Sequence, residues 1–376
     1  MPPAPLKVSP ETARRFHRRA VLLDSPAPDV ATALAHHGYI QIDPINVCGR
    51  MQEHILRNRV RGYREGDLML HLHGDGPGLT AERRMAFEHH LPDSNVLVAF
   101  PLDAWPHLRA AMHRRTSHRS AWSGKLTSRE KQLAEHILAE IAARGPLSSE
   151  DIDDQRRSRQ AGWGSASLAK STLQKLFFHG RVLIARRDNN RRLYDLPGRV
   201  LTARVLALKE PGRGDTARWL AILKLRQRRL VTLKRDELRL VEDLVQPVAV
   251  AGCPPLFCLR EDAVLFDGLA ALDSPPAAVS SAPLLLAPLD PLIYDRRVTQ
   301  RLWGFDYTWE VYTPPARRKR GYYALPILAG LEIVGHVDPK ADRERRRLAV
   351  VSRRVRRGHR VTGALDQLAE FLELRR

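Results

Sequence analysis

Two residues in the stretch Tyr39-Ile40-Gln41-Ile42-Asp43-Pro44 have the types and spacing to do chemistry. Apolar and polar residues alternate, the pattern of a half-buried extended strand. Ile40 and Ile42 are expected to face inward. Tyr39, Gln41 and Asp43 share the other face, with alternate residues roughly 7 Å apart. Pro44 restricts Asp43 to β or polyproline II geometry, which puts the carboxylate at a strand end. An amide and a carboxylate held side by side can orient one water molecule and take its proton. The same spacing also fits an edge strand with a solvated polar face, so the pair gains meaning only from the rest of the chain.

The target of such a water is indicated by charge. The 376 residues carry 62 Lys and Arg against 42 Asp and Glu, a net charge of +20. An excess of this size implies an anionic partner, of which nucleic acid is the commonest. The charge is also concentrated, with 17 Lys/Arg and 6 Asp/Glu in residues 296–360. Phosphate contact is the natural use of such a segment. A membrane partner is not expected, because no apolar run approaches the ~20 residues needed to span. The N-terminal MPPAPLKVSPETARR has no apolar signal-peptide core. Cysteines at 48, 253 and 258 are too sparse for a disulfide framework and fit a reducing cytoplasm.

Several segments could contact phosphate. Thr313 to Tyr323 holds Arg317, Arg318, Lys319 and Arg320 in a row, followed by Tyr322 and Tyr323. Between strand candidates it reads as a basic hairpin pressed into a groove, or as a solvated loop protecting a sheet edge. Lys170 and Lys175 lie on a helix expected near 165–180. Arg186, Arg187, Arg191 and Arg192 flank the turn Asp188-Asn189-Asn190. His71, His73, His89 and His90 are read as surface or DNA-facing, because no third ligand stands at a metal spacing. Cys253 and Cys258 lack the company of four zinc ligands, and no strand–GxxxxGK[ST]–helix phosphate loop appears. No metal site and no cofactor are therefore expected.

The elements that must position these residues are clearest in the middle of the chain. Thr127 and Glu130 form a capping box opening a helix with Leu133, Ile137, Leu138 and Ile141 on one stripe, stopped by Gly145-Pro146. A short helix near 149–155 follows. Ser165 then caps a third helix with Ala169, Leu173, Leu176 and Phe177 on one face. A hairpin across 181–194 completes the order of a winged helix-turn-helix, acting as DNA reader or as scaffold. Residues 10–66 and 215–262 repeat that element order without repeating the sequence. The expected division is 1–120, carrying Gln41 and Asp43; 121–200; 201–275; and 283–376. The last reads as a small β-rich domain: strand candidates at 309–312, 322–325, 333–337 and 348–351, then a closing helix through Leu365, Leu368, Ala369 and Leu372. Pro275-Pro276 onward reads as a linker.

Gly38-Tyr39-Ile40-Gln41-Ile42-Asp43-Pro44 resembles the signature of the winged-helix DNA glycosylase superfamily represented by YcaQ (AlkX) and AlkZ. Phe87-Glu88-His89-His90-Leu91-Pro92 lies where that family has a second motif. Leu286-Ala287-Pro288-Leu289-Asp290-Pro291-Leu292-Ile293-Tyr294-Asp295-Arg296-Arg297, running into Trp303 to Tyr312, is similar to its C-terminal signature, as is Val337-Asp338-Pro339-Lys340-Ala341-Asp342-Arg343. The resemblance covers nearly the whole chain. It implies an α+β fold of tandem winged helix-turn-helix units followed by a C-terminal β-barrel-like domain. It also implies that Gln41 and Asp43 are the catalytic Gln-x-Asp pair and that 313–323 is the DNA-inserting hairpin. The second motif departs from the family's His-x-x-Ser arrangement, reading His-His-Leu-Pro-Asp-Ser, which bears on substrate range rather than on the pair.

The expected function is then a monofunctional DNA glycosylase, hydrolysing the N-glycosidic bond of cationic N7-alkylated purines and unhooking interstrand crosslinks. Its partner is double-stranded DNA, alkylated or crosslinked, met by a monomer in the cytoplasm at the nucleoid. The competing reading is a winged-helix regulator or architectural protein without catalysis, since fold alone does not fix function.

Overall fold

The computed structural model describes residues 3–92, 94–152, 167–270 and 282–376. The chain forms two compact units. One comprises Tyr39–Ile42 and Leu68–Thr216; the other comprises Met1–Gly38, Asp43–Asp67 and Ala217–Arg376. The strands in chain order are β1 (Leu6–Val8), β2 (Ile40–Gln41), β3 (Ala86–His90), β4 (Leu97–Pro101), β5 (Leu183–Asp188), β6 (Arg191–Asp195), β7 (Val245–Val250), β8 (Leu256–Leu259), β9 (Leu284–Leu285), β10 (Leu325–Ala329), β11 (Glu332–Asp342) and β12 (Arg347–Val355).

The smaller unit holds an antiparallel sheet of order β2-β4-β3 and the hairpin β5-β6. The helix Ser128–Arg144 opens on the expected capping box, with both reciprocal Thr127–Glu130 bonds made. Ala134, Ile137 and Ile141 are buried, while Leu133 and Leu138 are half-buried at the stripe's edge. The helix Leu168–Phe178 follows, capped by Ser167, whose hydroxyl accepts the Lys170 N–H. Ser165, expected as the cap, lies outside the described residues; the short helix expected near 149–155 is turn rather than helix over its described part, 149–152. The hairpin turns at Asn189 with φ +54°, a left-handed position that asparagine tolerates.

The larger unit is built around three apolar clusters. In the first, Phe16 of the helix Pro10–Ala20 stacks on Phe266 of the helix Arg260–Ala270, ring centroids 4.0 Å apart. The second packs the helix Thr362–Phe371 through Leu365, Leu368, Ala369 and Leu372 against β10 and β11, as the periodicity predicts. The third surrounds Val231, Val241 and Val245. The C-terminal strands make an open sheet of order β12-β11-β10-β9, which corrects the barrel-like expectation: β9 and β12 are its two edges among the described residues. Stretches 309–312 and 322–324 are not strands. The linker expected from Pro275 onward lies almost wholly outside the described residues.

Candidate active site and nucleic-acid interface

Gln41 sits in the smaller unit. β2 pairs antiparallel with β4, Gln41 opposite Val98, and Ile42 N–H donates to the Leu97 carbonyl at 2.9 Å. The expected in–out alternation is corrected here, because Tyr39, Ile40, Gln41 and Ile42 are all buried. Tyr39 meets the Phe100 ring at 6.3 Å, so the polar face is covered rather than wet. Gln41 is 8% exposed and its Oε1 has no hydrogen-bond partner among the described residues. An unsatisfied buried acceptor costs about 1–3 kcal/mol, and such groups mark positions that take a water or ligand donor.

Asp43 sits in the larger unit and is held at both ends. Its N–H donates to Gln52 Oε1 at 3.2 Å, from the buried helix Met51–Arg57. Its Oδ1 accepts the Ile45 N–H at 2.8 Å, an Asx turn that fixes the carboxylate. Burial pushes its carboxyl above the usual range, and the Ile45 N–H pulls part of the way back. Cys48, His54 and Tyr323 in the same part of the unit are uncharged, while Arg57 acts on both Cys48 and His54. Burial raises the Cys48 thiol, whose Sγ lies 3.7 Å from His54 Nε2, and lowers the His54 imidazole to about 3. Tyr323 packs 6.0 Å from His54, ring to ring. Its hydroxyl is buried without a hydrogen-bond partner among the described residues, and burial above all holds it protonated. A fixed, partly desolvated carboxylate suits the stabilisation of positive charge. Glu53, absent from the sequence reading, is a second buried carboxyl. It accepts from Tyr63 Oη at 2.9 Å, and burial raises it to about 7. Its place in an apolar helix was the only available signal.

The basic segment 313–323 is a loop with one short 3₁₀ turn, Pro315–Arg317, rather than a β-hairpin. Two carboxylates take the N–H groups a strand would have used. Glu310 accepts from the backbone of Lys319, Arg320 and Gly321 at 2.8 to 3.2 Å. Asp338 accepts from Tyr322 and Tyr323, both at 3.0 Å. Gly321 has φ +135°, and a Cβ there would overlap the Asp338 carboxylate. Clamped from beneath, the loop presents Arg317 and Lys319 to solvent, with Tyr312 87% exposed. Arg318 lies over the Tyr322 ring at 4.8 Å. Arg320 is turned back, bonding the Asp306 carbonyl and pairing with its carboxylate at 3.7 Å.

The helix and hairpin cations divide. Lys170 is exposed and stands with Arg191 and Arg192 around a cleft of about 330 Å³. Arg186 is half-buried against Gly78. Lys175 and Arg187 are corrections. Lys175 is 2% exposed, and its Nζ meets Glu130 Oε2 at 2.8 Å. Arg187 holds Glu88 through both carboxylate oxygens. Although burial opposes it, Arg187 with His73 keeps the Glu88 carboxyl well below its usual range. Neither cation reaches a surface phosphate. Lys175→Ala should therefore cost stability, about 3 kcal/mol for a broken buried pair, and leave the salt dependence of DNA affinity unchanged. Urea unfolding and binding titrations read the two effects separately.

The histidines are also corrected. His73, His89 and His90 are buried: His73 meets Glu88 at 2.7 Å, His89 Nε2 bonds the Phe177 carbonyl at 2.9 Å, and His90 stacks on Phe178 at 3.8 Å. Burial lowers His89 to about 4, so it is a neutral packing element. Among the described residues, no cluster of three or more His, Cys, Asp or Glu could hold a metal ion, and no helix is long and apolar enough to cross a membrane.

Comparison with known proteins separates the two functional readings. Over its full length the chain is similar in structure to the Streptomyces sahachiroi DNA glycosylase AlkZ. The TM-score is 0.60 at 14% identity, covering 98% of this chain and 97% of that one. At that identity the likeness establishes the fold. The family model described as DNA glycosylase AlkZ-like matches residues 34–373, a span that includes Gln41, Asp43, the clamped basic loop and the C-terminal sheet. The chain belongs to the AlkZ-like DNA glycosylase family, and the protein is a DNA repair enzyme that binds DNA and cleaves N-glycosidic bonds.

Proposed function

We propose that this enzyme is a monofunctional glycosylase for cationic N7-alkylated purines, including those tethered in interstrand crosslinks. The observation that carries this reading is Asp43: a half-buried carboxylate clamped by Gln52 and Ile45. Alkylation at N7 leaves the purine positively charged and a good leaving group. As the C1′–N9 bond breaks, its electron pair neutralises the base and the sugar becomes oxocarbenium-like, as in glycoside hydrolysis. Asp43 stabilises that cation and accepts the proton of the attacking water. The role of Gln41 as the water's holder rests on the Gln-x-Asp resemblance and its unpartnered Oε1. The products are free base and an abasic site, with no strand cleavage.

The arrangement of domains belongs to this proposal. Helix Ser128–Arg144, helix Leu168–Phe178 and the β5-β6 hairpin supply the elements of a winged helix within 121–200. Segments within 1–120 and 201–275 are proposed as its tandem partners, ahead of the β-rich part at 283–376. Lys170 and Arg186 remain proposed phosphate contacts.

The basic loop is proposed to engage the lesion from a groove. A crosslinked base is bonded to the opposite strand and resists full extrusion, so a loop that exposes it without flipping suits the substrate. Replacing Arg317, Arg318, Lys319 and Arg320 together with Ala should weaken binding and flatten its salt dependence. The structure predicts the smallest share from Arg320, which is already paired. A salt slope equal to wild type would show that the loop does not touch phosphate. The decisive test of the whole reading is incubation with N7-methylated and N7-crosslinked duplexes, followed by detection of released base. No release from either would overturn it.

A further inference from the structure

A cleft of about 520 Å³ opens between the Gly304–Asp306 turn, the end of the basic loop and strands β11 and β12. Four cations line it: Lys319, Arg320, Arg354 and Arg356. Two are already matched. Arg320 pairs with Asp306, and Arg356 with Glu332 at 2.8 Å. Among the described residues Lys319 and Arg354 have no carboxylate within ion-pairing distance, so the cleft keeps an unbalanced positive charge. Gly335, at φ +151°, lets β12 approach closely, since a Cβ there would overlap the Arg354 carbonyl oxygen; this seats Arg354 at the cleft's edge. One wall of the cleft is apolar, with Phe305 and Val355.

We propose that this cleft binds a backbone phosphodiester of duplex DNA, with Lys319 and Arg354 on the phosphate and the apolar wall against the sugar. A phosphodiester fits better than a small free anion for two reasons. The apolar wall has no counterpart in inorganic phosphate. The cleft also opens onto the edge strand β12, beyond whose end Arg357 and Arg360 follow as exposed cations. Further exposed cations near the cleft suit neighbouring phosphates of one strand. The inference rests on the chain being a DNA glycosylase and not on the lesion it prefers.

The test uses undamaged duplex and the Arg354→Ala protein, with Arg354→Lys as the charge-retaining control. Arg354 is exposed on an edge strand, and thermal melting checks that both variants fold. Each phosphate contact contributes about 0.9 to the slope of log affinity against log salt. Arg354→Ala should lower that slope by about one contact, and Arg354→Lys should keep it. An unchanged slope in a folded Arg354→Ala protein overturns the proposal. Saturable binding of inorganic phosphate at Arg354, without any effect of the substitution on DNA affinity, identifies a small-anion site and also overturns it. Because the duplex carries no lesion, failure of the alkylated-purine reading leaves this result untouched.

Discussion

Asp43→Asn is expected to lower the single-turnover rate of N7-methylguanine release by about 10² to 10⁴-fold, the range for loss of a positioned general base. The change should fall on the chemical step, with affinity for the same duplex nearly retained. The stability effect has the opposite sign. Burial raises the folded pKa of Asp43, so the folded state holds the proton more tightly than the unfolded chain does. Ionised Asp43 therefore costs stability above its folded pKa, and the cost is relieved as pH falls through it. Asparagine carries no charge and keeps an oxygen for the Ile45 N–H. The variant should be at least as stable as wild type at neutral pH, while nearly inactive. A protein equally active, or inactive because unfolded, contradicts the assignment. In wild type the rate should fall as Asp43 takes up its proton, at a higher pH than an unburied aspartate would. Glu53, held at about 7, titrates higher, so the Asp43 limb is read below it. A rate that rose steadily into acid would point to acid-assisted base departure instead.

The largest loss of stability is expected at Asp290→Ala. Arg59 and Asp290 are both fully buried and joined by two bonds, 2.9 and 2.6 Å. The same guanidinium donates to the Val21 carbonyl at 2.9 Å and the Ile55 carbonyl at 3.0 Å, and Asp290 also accepts the Leu292 N–H at 3.0 Å. Removing the carboxylate strands a buried charge, which costs about 3–5 kcal/mol. Against a typical total of about 5–15 kcal/mol, that is a large fraction. Urea unfolding reads it directly. The double variant Arg59→Met/Asp290→Leu removes both charges and should recover much of the loss. If it is no better than Asp290→Ala, the cost lies in packing or backbone bonds rather than in the unpaired arginine.

Asp290 also shows how a sequence signature divides. The stretch Leu289-Asp290-Pro291, the Trp309-Glu310 pair and Val337-Asp338-Pro339 all carry the family resemblance. In the structure their carboxylates do interior work: Asp290 holds Arg59, while Glu310 and Asp338 clamp the basic loop. None of them had a local pattern that announced this, because each partner lies elsewhere in sequence: 231 residues away for Arg59 and up to 16 for the loop N–H groups.

Local rules determined the elements they govern. The Thr127–Glu130 capping box, the Ser128–Arg144 stripe, the β5-β6 turn at Asn189 and the closing helix through Leu365 and Leu368 rest on neighbours within a few residues, so spacing was enough. The Gln-x-Asp motif and the family were likewise legible, since both are statements about residue order. Burial was not. The β2 strand reads as half-wet, yet both its faces are buried, Tyr39 against Phe100. Lys175, Arg187 and the histidines read as surface groups, yet Glu130, Glu88 and aromatic rings draw them inside. The segment 313–323 reads as a hairpin, yet Glu310 and Asp338 capture the N–H groups a ladder would need. By itself the sequence determined the family and the local elements. Only the tertiary structure decided which charges face solvent and which are spent on one another, because a charge is placed by distant partners and by desolvation, neither of which spacing encodes.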